Sequence, residues 1–250
     1  MTRQNDRRLR NEPMKLVPLK DIDKAELVSD LSHELRTLLG GIIGINELLL
    51  ASDLSKHQRK LSETIDHSSK LLLQVLNDLV DLSRADAGRL RIESAPVDVN
   101  KICQEAIEQN RTLSQLRPQV EFKYKAEGLP QLVLSDSTRL RQILTMLISN
   151  GLSLVQSGEV QLTASARECN DSEVDLTFRV EGPRPSDSEI TRLNTICSAT
   201  RERCKYDSRW ISFNLCAQLA ALLSGRTGFA VEGESFELWV EFRLPRPPLG

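Results

Sequence analysis

The chain has 250 residues, 40% of them hydrophobic and 27% charged, and a formal net charge of −2. That is ample apolar chain for a buried core, and so even a charge balance gives no reason to expect a nucleic acid partner. No run approaches the roughly 18 apolar residues that would cross a bilayer, and the opening MTRQNDRRLRNEP is not a signal peptide. Five cysteines (Cys103, Cys169, Cys197, Cys204, Cys216) contain no C-x-x-C pair. They read as reduced, mostly buried thiols of a cytoplasmic protein. His33, His57 and His67 lie far from them without ligand spacing, so no metal site is expected.

Residues 1–18 form a lead-in: Arg3, Arg7, Arg8, Arg10, Lys15 and Lys20 crowd the first 20 positions, the mark of a solvated terminus. A long amphipathic helix is predicted over 22–50. Its apolar residues Leu27, Leu31, Leu35, Leu38, Ile42, Ile45 and Leu49 advance by threes and fours, close to a heptad seam. His33 sits two residues from both Leu31 and Leu35, so it points away from the seam toward water. Thr37 shares its face at i+4, and Glu34 follows it in the chain. An imidazole beside a carboxylate and a hydroxyl can transfer phosphoryl groups. The neutral ring nitrogen is the nucleophile, the carboxylate can hold its proton and the hydroxyl can position a water. Gly40, Gly41 and Gly44 lie past His33, each costing a helix roughly 0.5–1 kcal/mol. They either relieve crowding within a bundle or open a face for another protein.

A turn at 51–57 leads to a second helix, with Leu61, Ile65, Ser68, Leu72, Val75, Leu79 and Leu82 at the same spacing. The two helices make an antiparallel hairpin. One hairpin cannot bury both seams. Two can, as a four-helix bundle, so a homodimer or a heterodimer with a similar hairpin is expected. His57 and His67 lack the setting of His33 and read as structural or solvated. Gly88 is a helix stop, and 89–100 is a strand-like linker. Beyond it the pattern mixes types. Helices are expected over about 99–113, from Ser135-Asp136 to Val155, and over 186–200 and 211–224. Strands are expected at 120–124, 159–166, 173–180 and 237–244. This half reads as an α+β sandwich, a mostly antiparallel sheet with helices on one face.

Ser32-His33-Glu34-Leu35-Arg36-Thr37 resembles the phosphoacceptor box of sensor histidine kinases, S-H-E-[LI]-R-T-P. Leu38 replaces the proline that bends the family's helix. The segment SDSTRLRQILTMLISNGLSLVQSGEVQL, starting at Ser135, resembles the asparagine-bearing helix of the same kinases' Bergerat-type ATP-binding domain. The resemblance covers about residues 20–247. It implies a phosphoacceptor hairpin over 19–88 and an ATPase-like domain over 95–247. It implies His33 as phosphoacceptor, Glu34 and Arg36 beside it in the catalytic box, Thr37 to place a water, and the three glycines as a docking face for a response-regulator receiver domain. It also suggests that no input module or receiver domain is attached.

The nucleotide residues match poorly. Of the family's two Mg²⁺-binding asparagines, the first is Met146 here and the second is Asn150, and the following lysine is Ser153. The adenine-binding aspartate falls on Gly182, and Glu181 beside it points the other way on a strand. The three glycines of the phosphate loop fall on Ser208, Trp210 and Ser212, where side chains obstruct close approach of a backbone to phosphate. Little or no binding of ATP or Mg²⁺, and no autophosphorylation, is therefore expected. Three functions fit the residues. The first is a histidine phosphotransferase working through His33. The second is a regulatory pseudokinase that binds or dephosphorylates a receiver or pairs with an active kinase. The third is an active sensor kinase with a divergent nucleotide site.

Overall fold

The computed structural model describes residues 24–170, 172–198 and 208–248. The two long helices are present: α1 spans Lys24–Leu50 and α2 spans Lys56–Asp86. A capping box starts α2. The Ser55 hydroxyl accepts from the Gln58 amide and the Gln58 side chain accepts from the Ser55 amide, which satisfies two donors that helical bonding leaves over. Gly88, at φ +65°, ends the hairpin as its sequence position predicts.

The hairpin closes on a line different from its leucine seam. Among the described residues, Ser32, Leu39 and Asn46 on α1 and Ser62, Ser69 and Leu76 on α2 are buried, each set spaced by seven, and Asp78, Val80 and Leu82 are buried farther along α2. Asn46 Nδ2 donates to the Ser62 carbonyl at 2.9 Å, and the Ser62 hydroxyl donates to Asn46 Oδ1 at 2.6 Å. Leu31, Leu35, Leu38, Ile42, Ile45 and Leu49 are left exposed, as are Leu61, Ile65 and Leu72. The predicted seam is thus a second face, free within the chain. Leu82, predicted to belong to it, is instead buried in the core of the following domain. A Cβ at Gly40, Gly41 or Gly44 would meet nothing within 4 Å, so crowding inside one hairpin does not account for these glycines.

Strands β1 (Ala95–Val97) and β3 (Val133–Ser135) pair as a small antiparallel ribbon. The main sheet has the order β2-β4-β5-β7-β6, formed by Val120–Glu127, Gly158–Glu168, Glu173–Pro183, Ser235–Pro245 and Gly225–Glu232. Its β2–β4 pair is parallel and the other three pairs are antiparallel. Alternate residues of its strands, among them Leu162, Phe178, Val180, Leu238 and Val240, are buried. Three helices cover that face: α3 (Val99–Gln109), α5 (Ser137–Leu154) and α7 (Ser208–Leu222).

Several boundaries differ from the sequence reading. The predicted helix over 99–113 breaks at Asn110 into α3 and the short α4, Arg111–Gln115. There the Asn110 side chain caps backward, donating to the carbonyls of Ala106 and Thr145. The helix predicted over 186–200 is α6, Asp187–Ser198, and the next begins at Ser208 rather than 211. Strand β6 is additional to the strands expected from the sequence, and glycines at 225 and 228 interrupt its alternation. Register explains them. Gly228 faces Trp239 and Gly225 faces Phe242, and a Cβ on either glycine would come within 2.4 Å of the aromatic ring. The Cys103 and Cys216 thiols are buried and free, and Cys169 is exposed. The side chains of His67, Cys197 and Cys204 lie outside the described part.

Candidate functional site

His33 lies on the exposed face of α1, and Glu34, Arg36 and Thr37 are exposed around it. Among the described residues nothing hydrogen-bonds the imidazole ring, and the side chain is exposed. Thr37 Oγ1 donates to the His33 carbonyl at 3.1 Å. That bond fixes the hydroxyl one turn beyond the ring and leaves its lone pairs pointing outward. Arg36 is turned toward α2, where its Nη2 donates to Asn77 Oδ1 at 2.7 Å. His33, Thr37, Gly40 and Gly44 lie at helical spacing on one open face. A helix or loop of another protein can approach this face to backbone distance, because the glycines carry no side chain there.

The described positions that the resemblance assigns to nucleotide binding are packed against one another. Met146 is buried in the core, so the position of the first metal-binding asparagine has become packing. Asn150 is buried, and its Nδ2 donates to Ser212 Oγ at 3.2 Å. Its amide is held by a neighbouring helix. Ser153 donates to the Asn150 carbonyl at 2.7 Å and presents no cation. Gly182 pairs with Phe236 on β7, and a Cβ at Gly182 would sit 2.7 Å from Phe236 Cε1 and 3.3 Å from Val160 Cγ2. An aspartate at this position would have to displace that ring. Beyond it the chain closes onto the β6–β7 turn, with the Arg184 amide donating to the Glu234 carbonyl at 2.8 Å. The expected phosphate loop is corrected in one respect. Ser208, Trp210 and Ser212 belong to the start of α7 rather than to a loop, since a Ser-Arg-Trp-Ile-Ser run without glycine has no obstacle to helix. The side chains of Ser208 and Trp210 lie outside the described part. A metal-nucleotide needs two metal-binding amides, an adenine-binding carboxylate and an open glycine cradle. The described residues offer one tied amide, an occupied glycine and a helix, so they do not fit that group.

A feature the sequence did not reveal joins the hairpin to the sheet domain. Asp81 Oδ2, on α2, accepts from both Arg139 Nη1 and Gln142 Nε2 on α5, at 2.9 Å each. Nearby Asp136 caps α5 through the amides of Thr138 and Arg139, and its other oxygen accepts from the Glu93 amide in the linker. Asp78, one turn before Asp81, accepts from Gln74 at 2.7 Å. Burial pushes its carboxyl up to about 6, against the Gln74 hydrogen bond and with help from Asp81. The only sequence signal was two carboxylates three residues apart among Leu76, Leu79, Val80 and Leu82, a polar break in an apolar stretch. Among the described residues no group of three or more His, Cys, Asp or Glu side chains gathers as a metal site.

Residues 23–88 match the His Kinase A (phospho-acceptor) domain family. The chain is 33% identical over 175 residues to the hybrid signal transduction histidine kinase L of Dictyostelium discoideum, covering 70% of this chain and 10% of that protein. It is 28% identical over 234 residues to the sensor histidine kinase GacS of Pseudomonas protegens, covering 89% and 25% respectively. The chain therefore spans between about a tenth and a quarter of these relatives' length. Its fold matches full-length ShkA, solved in complex with AMPPNP, at a TM-score of 0.64 and 26% identity over 90% of this chain and 47% of ShkA. Hairpin, sheet domain and relatives together identify the chain as a sensor histidine kinase core, a phosphoacceptor domain followed by the α/β fold of the kinases' ATPase domain.

Proposed function

We propose that this two-component signalling protein relays phosphoryl groups through His33 without drawing them from ATP. The observation that carries the reading is the contrast between its two halves, an exposed His33 on α1 and the buried or closely packed Met146, Asn150 and Gly182 at the expected nucleotide positions. Each lost charge-assisted contact costs roughly 1.5–3 kcal/mol. Losing the first asparagine, the aspartate and the glycine cradle together weakens nucleotide binding on the order of a thousandfold or more.

The donor is the aspartyl phosphate of a receiver domain. A neutral His33 nitrogen attacks phosphorus, a P–N bond forms, the acyl P–O bond breaks, and the aspartate leaves as carboxylate. The reverse step hands the group to a second receiver. Glu34, next to His33 in the chain, is the carboxylate we assign to take the proton from the ring as the transfer proceeds. The glycine face beside His33 admits the receiver. The exposed leucine face of α1 and α2 is the dimer interface, with a second copy or with the hairpin of a related kinase. Among the described residues no helix is long and apolar enough to cross a membrane, and free buried thiols agree with a cytoplasmic setting.

A second reading has one observation in its favour. The Thr37 hydroxyl, anchored one turn from His33, can hold a water against a receiver's phosphoaspartate, which makes the chain a phosphatase rather than a relay. Phosphoryl transfer with purified protein separates these. Label passing from a phosphorylated receiver to wild type and not to His33→Ala, with none arriving from ATP, is the expected result. Label from ATP alone refutes it. Loss of receiver phosphate with no label on the protein favours the phosphatase.

A further inference from the structure

A cleft of about 490 Å³ lies between the hairpin and the sheet domain, lined on α1 by Arg36, three residues after His33. Its walls come from α1 and α2 on one side and chiefly α5 on the other. Its composition is unusual for a gap between packed units, because Val80 is its single apolar lining residue among the described ones. Guanidinium groups face it from both walls, Arg36 and Arg84 from the hairpin and Arg139 and Arg141 from α5, against Asp81 as its one lining carboxylate.

The carboxylates nearby are already engaged. Asp81 is held by Arg139 and Gln142, and Glu105 by Arg141 at 2.9 Å. These bonds use Nη1 of Arg139 and of Arg141. A guanidinium has five N–H donors, so most of theirs remain for another acceptor. Arg36 has a neutral partner, the Asn77 side chain. Asp81 and Glu105 offset two of the four guanidiniums, so the lining keeps a positive excess, and an anion between the walls is drawn to it while filling the spare donors. Planar forked donors suit phosphate oxygens, and the volume is that of a small-molecule site. Apolar lining is too scarce for a hydrophobic ligand.

We propose that this cleft binds a small anion carrying two or more phosphate charges, bridging the hairpin and the sheet domain beside the phosphoacceptor. This does not depend on His33 accepting phosphate, nor on the emptiness of the ATPase-type site, which lies farther along α5 at Asn150.

The test is calorimetric titration of the full chain with inorganic pyrophosphate and, separately, with a nucleoside triphosphate. Wild type, Arg36→Gln and Arg141→Gln are compared at low and high salt, with melting curves to show that the variants are folded. The expected result is saturable binding of pyrophosphate to wild type, weakened about tenfold or more in each variant and weakened further by salt. Tighter binding of the nucleotide than of pyrophosphate, lost in the same variants, assigns the cleft to nucleotides. No saturable binding of either probe overturns the proposal. Equal binding by wild type and both variants also overturns it, and nucleotide binding of that kind counts against the proposed loss of ATP binding as well.

Discussion

Asp78 gives the most direct test of how the hairpin is joined to the sheet domain. Its carboxyl is buried beside Asp81 and raised from the ordinary 3.8 to about 6. At about 1.4 kcal/mol per pH unit of difference, the charged form costs the folded chain about 3 kcal/mol. The folded value is the raised one. This group's stabilising contribution is therefore complete below pH 3.8 and is lost as pH rises through about 6. Asp78→Asn removes the charge and keeps the Oδ1 acceptor that Gln74 uses. The new amide must find an acceptor, which reduces the gain. The expected stabilisation at pH 7.5 is about 1–3 kcal/mol, shrinking toward zero at pH 4. Urea unfolding of both proteins at the two pH values, followed by circular dichroism, measures it. A destabilised variant at pH 7.5, or a difference that does not change between the two pH values, refutes the account of Asp78 as a buried charge.

Restoring the missing aspartate by Gly182→Asp is expected to cost about 1–3 kcal/mol through overlap with Phe236, and to leave ATP binding undetectable. Thermal melting and nucleotide titration of the variant check both halves. Asn46→Ala strands the buried Ser62 hydroxyl that it now accepts, at a cost of roughly 2–3 kcal/mol, whereas adding Ser62→Ala recovers part of the loss, readable as a double-mutant cycle. Leu38→Lys with Ile45→Lys places two charges on exposed apolar positions. Analytical ultracentrifugation is expected to show a monomer with unchanged helix content, and a persistent dimer locates the interface elsewhere.

The phosphoacceptor half was legible because helical periodicity and a six-residue box are local signals. A helix that places Leu31 and Leu35 on one side must place His33 on another, and it does. What periodicity could not show was which line closes the hairpin. Ser32, Asn46, Ser62 and Ser69 are polar and lie off the leucine line, yet they are buried, and Asn46 and Ser62 satisfy each other's polar atoms. The leucines are consequently left exposed within the chain. In the ATPase-like half, the changed identities at Met146 and Gly182 were visible, but the closure they permit was not. Phe236 over Gly182 and Ser212 on Asn150 pair residues more than fifty positions apart, and no local pattern marks such contacts.

The same limit explains the cleft. Asp81 and Arg139 lie 58 residues apart, each on a helix whose own pattern is complete without the other. The sheet domain has the fold of the kinases' ATPase domain, including the apolar inner faces of β4, β5 and β7, while Met146 and Asn150, at two of the expected ligand positions, are buried. A domain kept only for shape has no reason to hold charged contacts to the hairpin at the level of the phosphoacceptor. Here α5 holds Asp81 of α2 through Arg139 and Gln142, one turn from Asn77, which accepts from Arg36 of α1, so the position of the sheet domain is tied to the helix that packs against the one carrying His33. Breaking that tie with Asp81→Ala while leaving His33 intact separates the two roles. Altered transfer between receivers, with a fold that still melts cooperatively, makes the sheet domain a regulator of His33. Unchanged transfer reduces it to a scaffold for the hairpin.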